Sequence, residues 1–486
     1  MTLTASQRLS EDNRSFTKNN IQTMTIEEIL SSGMTADEKI AALSEKTLNV
    51  PAWSGRTGLE QEYNPKKHPV ANTAKYQDVV TDEGIQPVTR ILLPFQKLAT
   101  KRMTELVTGI PVKRVYRPEN DRQKEAAAFL EAIYDRNRID SVNVTRFRQL
   151  FAGCEIMTLW YAVEQPNTLY NGVKSLLKLR CRTFSPMLGD SLFPLFDEYG
   201  DMVALSIQYQ RKVGRKTVRF YDCYTAERHV KWSNETGSMA EVENEPITLG
   251  KIPAIYQWRD KPIWEDTSNM VYEMEWSLSR NGNYLRENSK PVFAVFADEQ
   301  ISYGDEKSGD KEFRSVLQYP KGSTAGYITW AQSVESLKYQ VSELRNLFFT
   351  TLQLPDWSYE KMSQTALSGE SRKQLFIDAQ LKVKDEKGDL IEFLDRETNV
   401  LKAFAKVILG ENYAADIDAL RVEQVITPFS ITDEKDEISN LMLANGNKPL
   451  MSQRESIERY GQSDDVDKTL EQIKADETQD VFNLTE

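Results

Sequence analysis

The residues that could do chemistry in this sequence are few, and their spacing argues against most reactions. There are two histidines, His68 and His229, and three cysteines, Cys154, Cys181 and Cys223. No HExxH motif occurs, so the helix-borne zinc site that needs two histidines four residues apart cannot form. The cysteines have no CxxC spacing and are odd in number, which fits a reducing compartment and small buried thiols better than a disulfide framework. His68 stands in Lys66-Lys67-His68-Pro69, and this polar surrounding predicts a solvated loop residue. The nearest approach to a phosphate loop is Gly304-Asp305-Glu306-Lys307-Ser308-Gly309-Asp310-Lys311, which has the two glycines but places Asp310 where the lysine must be. An aspartate there repels phosphate, so the segment is expected to be a polar turn. Neither GxGxxG nor GxSxG is present. Carboxylate pairs such as Asp298-Glu299 and Asp464-Asp465 are expected to be solvated surface. The expectation is therefore no catalytic residue, no metal and no cofactor.

The bulk composition agrees with a folded, non-enzymatic chain. Its 486 residues are 40% apolar and 28% charged, ample for a core without disulfide or metal staples. At about 150 residues per domain the length predicts roughly three domains. Sixty-one Lys and Arg against 73 Asp and Glu give a net charge of −12, which disfavours tight non-specific DNA binding. The longest apolar runs, Ile91–Phe95, Leu159–Val163 and Val292–Ala297, fall far short of the roughly 18 residues a membrane span needs. The polar stretch Met1–Asn20 lacks the apolar core of a secretory signal. A soluble protein with no membrane partner is expected.

The elements that would position any functional surface follow from periodicity and capping. Residues 1–51 form a polar arm with capping boxes at Thr25/Glu28 and Thr35/Glu38, expected to be peripheral. Helices are predicted over 88–109, 120–137 and 140–153. Met157–Val163, Leu177–Thr183, Met202–Gln210, Lys216–Tyr224 and His229–Ser233 read as an antiparallel meander, with turns at Asn171-Gly172, Tyr199-Gly200, Val213-Gly214 and Thr236-Gly237. Two further helices are predicted over 266–288 and 331–354. In the second, Val334, Leu337, Val341, Leu344 and Phe348 step by 3, 4, 3 and 4 residues, a heptad-like seam. At about 24 residues each helix is roughly 36 Å long. Between them lies a β-rich insert with Val292–Ala297, Ser315–Tyr319 and Tyr327–Trp330. Pro355 breaks the second helix. Helices over 370–388 and 389–409, a strand at Ala419–Thr427, and short capped helices at 432–444, 453–460 (opened by a Ser452/Glu455 capping box) and 465–478 complete the chain.

This order of parts resembles the portal proteins of tailed bacteriophages, of the long-tailed-phage type, over roughly residues 85–478. Asn120–Asn137 followed by Leu150–Glu164 is similar to the family's approach to its wing domain. Phe184-Ser185-Pro186 with Phe193-Pro194-Leu195-Phe196-Asp197 resembles its strand–Pro–strand passage, and Leu249-Gly250-Lys251-Ile252-Pro253 its Gly-x-Ile-Pro turn. Ser368-Gly369 is similar to its mark after the tunnel loop, although Glu370 and Ser371 stand where the family often has small or aliphatic residues. Pro449-Leu450-Met451-Ser452-Gln453-Arg454-Glu455 through Asp464-Asp465-Val466-Asp467 resembles its C-terminal crown helices.

The resemblance implies an α+β portal fold. Its parts would be an arm (1–51), an α/β wing (52–265, completed by 370–410) and two stem helices (266–289 and 332–354). A small β-rich clip (290–331) would lie between the stem helices, with a tunnel loop at 355–369 and an α-helical crown at 411–486. It further implies a ring, typically of twelve subunits, at one capsid vertex. Its partners would be the terminase large subunit, the head–tail adaptor, the major capsid and scaffold proteins, and double-stranded DNA passing without sequence specificity. Tyr359, Lys361, Gln364, Arg372 and Lys373 would approach DNA, and Glu306, Lys307, Asp310 and Lys311 would be docking residues of the clip. The stem seam would pack within the helix pair or between subunits. The site of action would be the virion, after assembly in the host cytoplasm. Two other readings stay open: another multimeric connector or tail protein, and a DNA-processing packaging enzyme.

Overall fold

The computed structural model describes residues 24–46, 56–81, 84–288, 292–296, 324–328, 334–354, 356, 377–429, 452–455 and 466–483. The chain divides into two compact units, one of Met1–Pro355 with Ala379–Phe429 and one of Asp356–Asp378 with Ser430–Glu486. Helices and sheets both contribute, as the expected α+β class requires.

In the larger unit, α1 (Ile26–Ser31) and α2 (Ala36–Lys46) begin at the two capping boxes read from the sequence. At the first, Glu28 N–H donates to Thr25 Oγ1 at 3.2 Å and Thr25 N–H to Glu28 Oε2 at 2.7 Å. This segment is not a loose arm. Ile29, Leu30, Ala42 and Leu43 are buried against Tyr221, Cys223, Val230 and Trp232 of a β-sheet. Lys39 sends its ammonium to the Leu30 carbonyl at 2.8 Å, closing the C-terminus of α1. The apolar stripe of two short helices thus finds a partner far along the chain, which local polarity could not reveal.

After α3 (Arg56–Tyr63) comes a hairpin of β1 (Val79–Thr81) and β2 (Gly84–Gln86). The helix expected over 88–109 starts only at Phe95, as α4 (Phe95–Thr108). Pro87 and Pro94 disfavour the helical region for the residues before them, and 88–94 takes no regular secondary structure. β3 (Lys113–Arg117), α5 (Asp121–Asn137) and α6 (Ile139–Gly153) follow. Asn120 caps α5 by accepting from Gln123 N–H at 2.8 Å. Arg138, at φ 49°, turns directly from α5 into α6.

β4 (Glu155–Tyr170) and β5 (Val173–Phe184) are longer than the alternation predicted. They are joined by a two-residue turn at Asn171 (φ 44°) and Gly172 (φ 87°), the pair of positive φ angles that such hairpins demand. β6 (Ser191–Phe196), β7 (Met202–Val213), β8 (Lys216–Thr225), β9 (Arg228–Ser233) and β10 (Ala240–Pro246) form an antiparallel five-stranded meander. β11 (Ala254–Trp258) pairs with β4, giving a three-stranded sheet in the order β11-β4-β5. The core lies between the sheets: Met157, Leu159, Phe184, Ala254 and Tyr256 meet Leu192, Leu205, Ile207, Tyr209 and Tyr224.

α7 (Ser268–Asn288) and α8 (Val334–Thr351) bracket the paired strands β12 (Val292–Phe296) and β13 (Thr324–Ile328). Over 377–409 the helix boundary expected at Gly388 is absent: one helix, α9 (Ile377–Leu409), runs through it with Gly388 in its interior. A mid-helix glycine costs about 1 kcal/mol. Burial of Val383 on one side and Leu390, Phe393 and Leu394 on the other offsets it. α10 (Ala414–Ala419) leads to β14 (Arg421–Val425), which pairs antiparallel with β3. Residues 411–429, expected with the C-terminal helices, therefore belong to the larger unit, and Phe429 N–H donates to the Leu106 carbonyl at 2.9 Å.

In the smaller unit, Ser452 and Glu455 make the predicted capping box (3.0 and 3.2 Å), and Arg454 pairs with Asp467 of α11 (Val466–Asn483) at 3.0 Å. The segments Ser315–Tyr319 and 432–444, and the pairs Asp298-Glu299 and Asp464-Asp465, lie outside the described residues.

Candidate functional site

The helix pair α7–α8 is anchored at its base by polar pins. One face of α7 carries Glu275, Ser279 and Asn283, spaced four residues apart and all buried. Charged and polar groups survive burial only when partnered, and here the segment 88–94 supplies partners. Leu93 N–H donates to Glu275 Oε1 at 2.6 Å and Ile91 N–H to Ser279 Oγ at 2.9 Å. This segment belongs to no sheet among the described residues and satisfies these two amides on helix side chains instead. His68, expected to be solvated, is 1% exposed. Its Nδ1 lies 2.7 Å from Glu275 Oε1, and its Nε2 lies 2.7 Å from the Glu62 carbonyl oxygen, to which it donates. Glu62 in turn accepts from Trp264 Nε1 at 2.7 Å and Ser268 Oγ at 2.9 Å. Arg90 completes the anchor: it pairs with Asp78 at 2.8 Å, donates to the Tyr76 carbonyl at 2.8 Å and lies over the Trp276 ring.

On α8 the seam predicted from the heptad steps falls on one stripe. Leu337, Val341 and Leu344 are half-buried and Phe348 is fully buried, while Val334 opens the helix. Phe348 and Phe349 close on Phe95 at 5.3 and 6.1 Å between ring centroids, and Arg102 lies 4.3 Å over Phe349. The seam is thus rooted in the body of the larger unit at Phe348. Its upper residues keep apolar surface open, alongside exposed Tyr339 and Leu347.

A buried ion pair joins α6, β4 and α9. Arg146 and Glu397 are both 0% exposed and meet twice, Nη1–Oε1 at 2.6 Å and Nη2–Oε2 at 2.7 Å. Trp160 Nε1 also donates to Glu397 Oε1 at 3.0 Å, and the guanidinium lies 4.7 Å from the Phe393 ring. A second titratable group lines a 570 Å³ cavity between the sheets. Asp222 receives the Tyr209 hydroxyl at 3.0 Å, yet burial pushes its pKa up to about 6. His229 stacks on Tyr224 at 4.3 Å, and burial lowers its pKa to about 4. Asp222 Oδ1 and His229 Nε2 have no hydrogen-bond partner. Cys223, buried beside them, is pushed up to about 12 by the same desolvation, the inert thiol the sequence suggested.

Charge gathers in a groove of 1180 Å³ lined by the β6–β7 turn, the end of β11 and α9. It presents eight carboxylates against Arg259, Lys261 and Arg396, and these three pair with Glu386, Glu265 and Glu392. Asp197, Glu198, Asp260, Asp385 and Asp389 remain without an ion pair among the described residues.

Of the residues singled out in the sequence, the seam of α8 is brought onto one face. The DNA-facing set (Tyr359, Lys361, Gln364, Arg372, Lys373) and the docking set (Glu306, Lys307, Asp310, Lys311) lie outside the described residues. The polar pins of His68, Glu275 and Ser279 were missed. The spacing of Glu275, Ser279 and Asn283 among apolar Val271, Met274 and Leu278 was the available signal. Among the described residues no group of His, Cys, Asp or Glu could hold a metal, and no helix is long and apolar enough to cross a membrane.

The sequence model of the family "Phage portal protein, SPP1 Gp6-like" matches residues 58–481. The chain belongs to that family, whose members are structural, non-enzymatic components of the virion and build the portal connector ring. No curated protein matches it. Similar solved structures include the virion of a native gene transfer agent particle, at 9% identity over 84% of this chain and 93% of that one, TM-score 0.36. The neck of the empty particle, computed with C6 symmetry, overlaps at 9% identity, 83% and 97% coverage, TM-score 0.37. The neck of the native particle, computed with C12 symmetry, overlaps at 10% identity, 83% and 92% coverage, TM-score 0.38.

Proposed function

We propose that this chain is the repeating subunit of a twelve-membered portal ring at one capsid vertex. Double-stranded DNA enters and leaves through its channel, the terminase large subunit docks on it during packaging, and the head–tail adaptor binds it later. Major capsid and scaffold proteins are its neighbours as it assembles in the host cytoplasm. The observation that carries this reading is the family match over residues 58–481, supported by a helix pair that brackets one β-strand pair.

In these terms α7 and α8 are the stem, β12–β13 belong to the clip at 290–331, and 355–369 is the tunnel loop. The two sheets with α4–α6 and α9 are the wing. The crown is the C-terminal segment 411–486, of which β14 pairs with β3. The half-buried seam residues Leu337, Val341 and Leu344 serve stem packing, and Phe348 fixes the stem to the wing. Glu306, Lys307, Asp310 and Lys311 are docking residues of the clip tip. Tyr359, Lys361, Gln364, Arg372 and Lys373 approach DNA. Twelve copies at −12 each give a strongly acidic wall, and few phosphate contacts means little friction on moving DNA.

Light scattering on the purified chain with negative-stain imaging tests the ring. Particles with a central hole near roughly 670 kDa, twelve times 55.8 kDa, are expected. A monomer with metal-dependent nuclease activity would overturn the reading. Leu344→Asp should weaken the ring, and normal assembly would remove Leu344 from the stem contact. Lys361→Glu should change packaging yield while rings still form.

A further inference from the structure

The acidic groove has a counterpart at the other end of β7. The β7–β8 hairpin turns at Gly214 (φ 63°), and every residue from Gln210 to Thr217 is exposed. Its tip carries Arg211, Lys212, Arg215 and Lys216 with no carboxylate, although the chain as a whole carries −12. None of the four has an ion pair among the described residues, and Arg211 only lies 5.0 Å over the Tyr209 ring of its own strand. β7 runs twelve residues from Met202 to Val213. At about 3.3 Å per residue the basic tip and the acidic β6–β7 turn are about 36 Å apart along one strand. They cannot neutralise each other within the subunit.

We infer that the β7–β8 hairpin of one subunit docks into the acidic groove of the next copy of this chain. This rests on the ring reading above. A closed ring needs two different, complementary patches on different sides of each subunit. Here four unpaired cations face outward at one end of a strand. At the other end, Asp197, Glu198, Asp260, Asp385 and Asp389 line a groove larger than the ~300–1,000 Å³ usual for small-molecule sites. A β-ribbon tip is a fitting occupant for such a groove. Opposite charges steer the encounter and fix register, and like charges exclude wrong pairings.

The test uses the full-length chain and follows self-association by light scattering and negative stain at low and high salt. One variant reverses the tip (R211E, K212E, R215E, K216E). A second reverses exposed, ion-pair-free groove positions (D260K, D385K, D389K), and a third combines both sets. Each reversal alone should weaken ring association by roughly a hundredfold at low salt, with the combined variant assembling again. The wild-type ring should loosen as salt is raised, because exposed charges are screened. Rings from the tip variant indistinguishable from wild type overturn the docking pair while the ring reading stands. So does a combined variant that fails to assemble when each set alone also fails. Normal rings with lost binding to a double-stranded DNA probe would assign the tip to nucleic acid instead. A wild-type chain that stays monomeric at every concentration overturns both the ring reading and this pairing.

Discussion

Two carboxylates of the larger unit sit at nearly equal depth in different company. Glu397 is 0% exposed and Asp222 4%. Glu397 accepts two guanidinium bonds on separate oxygens and an indole bond besides. Asp222 accepts a tyrosine hydroxyl on Oδ2, while its Oδ1 has no hydrogen-bond partner. Burial disfavours the charged form of any acid, and partners decide the outcome. Around Glu397 three elements are tied together by one charge pair. Around Asp222 burial prevails, so the acid is driven toward neutrality. Glu275 stands between them: Oε1 meets Leu93 N–H and the His68 ring, and Oε2 meets nothing. The number of hydrogen-bonding contacts, three at Glu397, two at Glu275 and one at Asp222, grades the three sites rather than depth.

The largest effect should come from breaking the fully partnered pair. Glu397→Gln leaves the Arg146 guanidinium buried against a neutral amide, and stranding one partner of a buried pair costs about 3–5 kcal/mol. Denaturant unfolding should show that loss. Replacing both partners, Arg146→Met with Glu397→Leu, should recover most of it, since well-packed apolar residues often match a buried pair. An E397Q chain as stable as wild type would mean that the pair does not weld α6, β4 and α9.

Next in size is Glu275. Truncation to alanine strands the Leu93 amide and the His68 ring, and an unsatisfied buried donor costs about 1–3 kcal/mol. Glu275→Gln keeps an amide oxygen where Oε1 meets both Leu93 N–H and the His68 ring, so it should cost roughly half as much. Hydrogen exchange at the Leu93 amide reports the difference directly. Equal protection in wild type and E275A would show that 88–94 is held elsewhere.

The Asp222 site predicts a pH signature smaller still. Between about pH 4 and 6 the folded chain holds one proton on this pair, on Asp222, whose pKa is raised to about 6, because His229, lowered to about 4, is neutral. The unfolded chain also holds one, on the histidine at 6.5, because the aspartate at 3.8 is ionised. Equal proton counts mean that the pair adds no slope to stability in that window. Asp222→Asn removes the folded-state proton, so stability should rise with pH from about 4 to 6.5, by roughly 1–3 kcal/mol in total. His229→Gln leaves Asp222 alone, and stability should fall as pH rises from 3.8 to about 6. Thermal unfolding of the three chains across pH 4–7 measures both slopes. Parallel profiles would show that neither shift exists.

What the sequence disclosed and what it hid divide along the same line. Thr25 with Glu28, Ser452 with Glu455, and Asn171-Gly172 were readable because each motif satisfies backbone groups within a few residues of itself. The seam Leu337, Val341, Leu344 and Phe348 was readable because helical period is local as well. His68 was misread because its neighbours in sequence are polar, whereas its partner Glu275 lies 207 residues away. The docking of α1 and α2 onto the five-stranded sheet was hidden for the same reason. At the candidate site only the helix seam could be followed from sequence into structure. The groove assembles from three separate stretches of chain, and no local pattern marks it.

The same helix that carries Glu397 offers a position where neither burial nor a partner is at stake, and it sets the floor of the comparison. The sequence suggested a break at Gly388, yet α9 runs through it. Gly388 is exposed, and a Cβ built there meets no atom within 4 Å. Alanine would reduce the conformational freedom of the unfolded chain and add helix propensity without strain. Gly388→Ala should therefore stabilise the chain by about 0.5–1 kcal/mol, seen as a higher denaturant midpoint at unchanged slope. The sign is opposite to that of Glu397→Gln and Glu275→Ala, because nothing at this site depends on being satisfied. A destabilised G388A chain would mean that the glycine is kept for a close approach the isolated subunit does not contain. A neighbouring subunit in the ring would then be the first place to look.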